Sequence, residues 1–185
     1  MMNIRYPEIG VCGLSCRLCP TYHSKAVSRC GGCKSEVRIA VGCPFINCAV
    51  KRKGIEFCWD CEENIICEKW GKHRDTGKRH DSFKCYQKLE DDIRFVQENG
   101  IEKFEKIQKL REKLLAQILK EFNEGRSKSY YCIAATVLGI EELEEAIDRA
   151  RKESTGLDIR AKSKVMHSML DAIAGKNNYC LKLRK

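Results

Sequence analysis

The sequence predicts a mainly α-helical fold with an irregular, metal-stapled N-terminal part. Two observations carry this reading. Ten of the thirteen cysteines fall within the 56 residues from Cys12 to Cys67, where no long apolar run occurs. From about residue 81 onward, apolar residues recur every three or four positions, the period of an amphipathic helix. The expected organisation is a cysteine-rich, zinc-knuckle-like region over 1–70, a basic linker over 71–80 and a five-helix domain over 81–185. A 70-residue segment with so few large apolar side chains buries too little surface to offset its chain entropy, so something must staple it.

The N-terminal region is rich in turn formers. Gly10, Gly13, Gly31, Gly32, Gly42 and Gly54 lie close to cysteines, where backbone N–H groups can turn toward thiolate sulfur without a side chain in the way. Residues 71–80, Gly-Lys-His-Arg-Asp-Thr-Gly-Lys-Arg-His, are polar and basic and read as a linker.

The five helices follow in order. Phe83, Tyr86, Leu89, Ile93 and Val96 draw the first apolar face, ended by Asn99-Gly100. Ile101 through Phe122 is a long amphipathic stripe that Asn123-Glu124-Gly125 stops. Ser129 or a neighbour caps a short, strongly apolar third helix from Tyr130 to Leu138, ended by Gly139. Ile140 to Ala150 forms the fourth, and Asp158 to Gly175 the fifth.

The chemistry lies in the cysteines Cys12, Cys16, Cys19, Cys30, Cys33, Cys43, Cys48, Cys58, Cys61 and Cys67. Cys30-Gly-Gly-Cys33 and Cys58-Trp-Asp-Cys61 have the C-x-x-C spacing that lets two sulfurs reach one tetrahedral zinc while the intervening amides answer their lone pairs. Cys43 and Cys48 add a C-x4-C pair. The expected cofactor is zinc, two ions in four-cysteine sites. One working arrangement places Cys12, Cys16 or Cys19, Cys30 and Cys33 at one ion and Cys43, Cys48, Cys58 and Cys61 at the other; an interleaved pairing fits the spacing as well. Ten does not divide into fours, so two sulfurs are left over unless a polynuclear cluster takes more.

Cys12-x3-Cys16-x2-Cys19 is also the spacing that holds a [4Fe–4S] cluster, which makes an iron–sulfur or thiol redox protein the alternative. Cys85, Cys132 and Cys180 have no partner at ligand spacing and read as structural thiols. Among the histidines, His73 and His80 can complete a metal site but sit in a basic stretch, where solvated histidine is the commoner case; His23 and His167 carry no stronger signal.

The formal charge is +9. Residues 1–80 hold 14 Lys/Arg against 8 Asp/Glu, and zinc-bound thiolates would largely cancel that excess, bringing the whole chain to about +5 with two four-thiolate sites. A basic surface of Arg29, Lys34, Lys51, Arg52, Lys53, Lys72, Arg74, Lys78 and Arg79, with Trp59 and Trp70 nearby, is a candidate contact for protein or nucleic acid. Arg126, Ser127, Lys128 and Ser129, between two helices, form a candidate anion-binding turn; the plainer reading is a serine cap flanked by solvated cations. No phosphate loop, dinucleotide fingerprint, H-E-x-x-H or nucleophile elbow occurs, so no enzyme class is indicated. Neither a secretory h-region nor an apolar run of membrane-spanning length is present, and reduced thiols fit the cytoplasm.

Cys-Gly-Leu-Ser-Cys-Arg-Leu-Cys-Pro-Thr-Tyr at 12–22, Cys-Gly-Gly-Cys-Lys at 30–34, Gly54-Ile55-Glu56 before Cys58-x-x-Cys61, and Cys67-Glu-Lys resemble the prokaryotic family designated domain of unknown function 3795. The resemblance extends to Asn99-Gly100-Ile101-Glu102 and to 125–132. It implies zinc binding and supplies no reaction. Members often carry a further cysteine where this chain has Ala40, and a Tyr-Pro where it has Ile65-Ile66.

Overall fold

The computed structural model describes residues 3–27 and 29–185; Met1 and Met2, which open the 1–70 region, and Ser28 lie outside the described residues. The described residues hold eight α-helices and no strand, a single antiparallel bridge joining Ile9 and Ser15. The helices are α1 (Glu36–Val41), α2 (Pro44–Ile46), α3 (Glu68–Arg79), α4 (Leu89–Asn99), α5 (Ile101–Glu121), α6 (Lys128–Val137), α7 (Ile140–Glu153) and α8 (Ile159–Lys176). A π-helical turn, Asn47–Lys53, continues α2, and 3-10 turns lie at Cys16–Leu18 and Cys58–Asp60. The helix count is therefore eight rather than five, because three helices form upstream of residue 81.

One of those three is a correction. Residues 71–80, expected as a linker, lie almost wholly within α3. Trp70, His73 and Gly77 share its inner face at helical spacing: Trp70 and Gly77 are buried, and a Cβ at Gly77 would stand 3.0 Å from the Tyr86 ring. Arg74 locks α3 to α4 through a bidentate pair with Glu90, its Nε donating at 2.8 Å. The inner face does not read as an apolar row, because a histidine and a glycine carry it.

The helix expected from Phe83 begins only at Leu89. The six residues before it are held in another shape by Asp81, whose carboxylate accepts the Tyr86 N–H at 2.7 Å and the Arg184 backbone and guanidinium at 2.9–3.2 Å. That turn leaves Phe83 exposed and drives Lys84 and Cys85 inward.

The remaining helices start and stop where the residues indicate. The Asp158 carboxylate accepts the N–H groups of Arg160 and Ala161 at 2.8 and 2.9 Å and opens α8. Glu142 returns to the Gly139 N–H at 2.7 Å and opens α7. The end of α6 is closed from outside, by Arg111 of α5 donating to the carbonyls of Ala135 and Leu138.

Helix α5 packs on α4, α6 and α7 and also receives the Cys16–Leu18 turn. Two large apolar cores result, beside a small third one of Val11, Ile46 and Ala49 in the cysteine-rich part. One is built from α5 to α8 around Leu115, Ile118, Leu143, Met166 and Leu170, with Leu18 reaching in from the cysteine-rich part. The other mixes both parts, Tyr6, Ile9, Leu14, Phe57, Trp59 and Trp70 packing on Leu89, Ile93, Val96 and Phe104. No helix among the described residues is long and apolar enough to cross a membrane.

Candidate metal centre

The cysteine-rich part is a set of tight turns pinned to one another by backbone bonds. Gly10 N–H donates to Leu14 O at 2.8 Å, Cys16 N–H to Glu8 O at 2.7 Å and Cys58 N–H to Val11 O at 3.0 Å. Gly13 has φ +93°, and a Cβ there would meet Trp59 at 3.2 Å and Leu89 at 3.3 Å, so only glycine lets this turn lie on α4. Gly32, at φ +103°, turns the next peptide so that Cys33 N–H donates to Cys16 Sγ at 3.1 Å. This is the glycine-assisted N–H to sulfur contact the spacing predicts.

Beneath these turns sits a buried ion pair. Lys34, 3% exposed, donates to Glu56 Oε1 at 2.8 Å and to Tyr6 O at 3.2 Å, and its Nζ lies 3.8 Å from the centre of the Phe57 ring. Glu56 also accepts the N–H groups of Arg5 and Tyr6. The charge of Lys34 is thus spent inside the protein.

The ten cysteines divide into two groups. Cys48, Cys58, Cys61 and Cys67 line one small cavity of about 60 Å³, and Lys53 donates to Cys61 Sγ at 3.3 Å on its rim. Cys12, Cys16, Cys19, Cys30, Cys33 and Cys43 line a second chamber of about 300 Å³. Two cysteines lie elsewhere than the working arrangement places them: Cys43, whose sulfur accepts the Ile46 N–H of its own helix, lines the larger chamber, and Cys67, at the N-cap of α3, lines the smaller cavity. Burial pushes the Cys12 thiol up, and the neighbouring sulfurs of Cys16 and Cys43 add to that. Among the described residues no three His, Cys, Asp or Glu side chains are drawn together closely enough to hold an ion.

Lys84 is the residue that sequence reasoning missed. It is 7% exposed, and its Nζ lies 3.7 Å from Cys16 Sγ and 3.8 Å from Cys33 Sγ. Burial opposes its charge, but the sulfurs of Cys16, Cys33, Cys19 and Cys12 outweigh that and hold its pKa above the usual lysine range. The Cys16 thiol's hydrogen bond, with help from Lys84, brings Cys33 down to about 7, while Cys16 is pushed up by the same bond and by burial. Burial, then the charges of Cys12 and Cys67, push Cys58 up to about 12. The only sequence signal for Lys84 was a lysine beside a cysteine in a segment that read as helix.

The other candidates are placed as follows. Cys85 and Cys132 are buried as expected of structural thiols, whereas Cys180 is exposed. His73 lines the larger chamber with its Nε2 buried and unpartnered, His80 is exposed, and His23 pairs with the Arg17 carbonyl. The proposed basic face loses its stacking partners, since Trp59 and Trp70 are both buried. Several of its cations are also internal or paired: Lys34 with Glu56, Lys53 with Glu63, Lys72 with Glu68, Arg74 with Glu90 and Lys78 with Asp75.

At the 125–129 turn, Ser127 occupies the N-cap position but its Oγ donates to Glu124 Oε1 at 2.9 Å and pairs with His167 Nε2 at 2.8 Å. Ser163 donates to the other Glu124 oxygen at 2.8 Å. The carboxylate of Glu124 thus already holds the Ser127 hydroxyl beside the start of α6. Arg126 is exposed, and Lys128 and Ser129 face an open cleft shared with Arg29 and Arg38.

What the fold and the sulfurs define is a cysteine-rich helical protein with two thiol-lined cavities. Residues 8–72 match the model of the family described as "Protein of unknown function (DUF3795)", which bears out the resemblance over those residues. That stretch contains all ten clustered cysteines and ends within α3. No curated protein and no solved structure matches the chain.

Proposed function

We propose that the chain is a zinc-binding, non-enzymatic interaction module in which Cys48, Cys58, Cys61 and Cys67 hold one ion. The observation that carries this is that all four line a single small cavity with a lysine on its rim. Four thiolates suit tetrahedral zinc and leave no open position for a substrate, which is the signature of a structural site. The Cys58–Asp60 3-10 turn, closed by Cys61 N–H on Cys58 O, supports a knuckle-like geometry for this pair. Binding would draw the sulfurs inward and release their protons, stapling the loops that the small core of Val11, Ile46 and Ala49 cannot fix alone.

All thirteen cysteines are free thiols, which accords with a reducing, cytoplasmic setting. Exposed Val37, Val41, Ile65 and Ile66 in the cysteine-rich part favour a protein partner over nucleic acid. The second reading, an iron–sulfur protein, is supported by Cys12, Cys16 and Cys19 facing one chamber.

Elemental analysis and an absorbance spectrum of anaerobically purified protein test both. Colourless protein with zinc, one ion of which is lost in Cys58→Ser, supports the zinc reading. Brown protein with iron and absorbance near about 400 nm supports the other.

A further inference from the structure

We infer that the six-cysteine chamber holds a binuclear zinc–thiolate cluster, the two ions sharing sulfurs and Lys84 serving as the cluster's buried counter-ion. This deepens the zinc reading above and rests on it. A single tetrahedral ion takes four donors, yet six thiols line this chamber of about 300 Å³. Two tetrahedral ions need eight donor positions, which six sulfurs supply when two of them bridge. A [4Fe–4S] cluster takes four and leaves two thiols idle in the same room. The division of ten cysteines into four and six therefore leaves none over, which the linear sequence could not arrange.

Lys84 is the independent observation. An ammonium removed from water is costly unless a counter-charge meets it, and Lys84, 7% exposed, has its Nζ against two sulfurs, Cys16 at 3.7 Å and Cys33 at 3.8 Å. Metal binding takes these sulfurs as thiolates, and so sets negative charge against the buried ammonium. The balance is consistent: two Zn²⁺ enter, six thiols give up six protons to solvent, and the cluster carries a net charge of −2. Cys16, 2% exposed, in contact with Lys84 and accepting the Cys33 N–H at 3.1 Å, is the sulfur most tightly built into the chamber.

The test is metal counting on the full chain, native and as Cys16→Ser and Cys58→Ser, with cadmium-113 NMR of the native chain after exchange. The expected result is about three zinc ions per native chain, about one in Cys16→Ser and about two in Cys58→Ser. In the native chain, three cadmium signals are expected, two of them split by each other through shared sulfur, a readout that needs no variant to fold. Two zinc ions in the native chain, or three uncoupled cadmium signals, overturn the inference and leave the four-cysteine site standing. Four iron atoms with brown colour overturn it in favour of an iron–sulfur cluster. Protein without zinc overturns both readings, and a Cys58→Ser variant that keeps every ion overturns the four-cysteine site alone.

Discussion

The residues before about 80 and those after it are held together by different physics. In the helical part, Leu115, Ile118, Leu143, Met166 and Leu170 are fully buried in one core, and the polar groups at helix ends meet side-chain caps. In the cysteine-rich part, one apolar cluster amounts to Val11, Ile46 and Ala49, and the larger one is completed by residues of α4 and α5. What stands in for packing there is a buried ion pair, N–H to sulfur contacts and ten thiols around two cavities. On the zinc reading proposed above, such a region is conditional on its ligands, whereas the helical core is not.

On that reading, the most severe way to break the contrast is to remove the proposed metal. Structural zinc in small domains contributes on the order of 10 kcal/mol or more to folding. A strong chelator is expected to abolish hydrogen-exchange protection over residues 8–66 while amides of α6 to α8 stay protected. Equal loss in α7 and α8 would show that the two parts fold as one unit and that the contrast is wrong.

Two substitutions sharpen it from either side. Leu115→Ala in the helical core should cost about 2–5 kcal/mol by the cavity it leaves and leave zinc content unchanged. Glu56→Gln strands the Lys34 ammonium beneath the sulfur turns; breaking a buried pair from one side costs about 3–5 kcal/mol, and zinc content should fall with it. Denaturant titration and metal analysis on the same samples read both effects. Metal loss in Leu115→Ala, or full retention in Glu56→Gln, would contradict the assignment of each residue to its region.

The same contrast explains what was legible in the sequence. The helices after residue 88 could be read because burial there follows a 3.6-residue period, and α5 runs from Ile101 to Glu121 almost as its apolar stripe indicates. Helix α3 could not, because its buried face is Trp70, His73 and Gly77 rather than a row of aliphatics. The cysteine spacing suggests metal ligands, but how the sulfurs divide depends on which turns the fold brings together: Cys43 and Cys48 are five residues apart and face different cavities. Lys84 and Glu56 were silent for a related reason. A charge acquires meaning only from the partner it is buried against, and these partners lie 68 and 22 residues away.

The smallest expected effect lies on the contact between the parts and titrates. Asp92 of α4 lines a small pocket with Ser15, Gln108 and Lys84 among leucines, and burial raises its pKa to about 7 against the pull of Arg111 and Lys88. Its value in the folded chain is above the unfolded value of 3.8, so the fold favours the protonated carboxyl. The stabilisation is complete below pH 3.8, falls as pH rises through about 7 and is gone above it. Each tenfold gain in proton affinity on folding is worth about 1.4 kcal/mol, and water reaching a half-buried carboxyl reduces the sum, so about 1–2 kcal/mol is expected. Asp92→Asn cannot titrate. Its stability relative to the native chain should therefore rise between pH 4 and 7 and then level off, as read by thermal unfolding across that range. A difference that does not change with pH would mean that Asp92 is solvated, and that the seam between the cysteine-rich and helical parts is wetter than the packing of Leu14 and Leu89 around it implies.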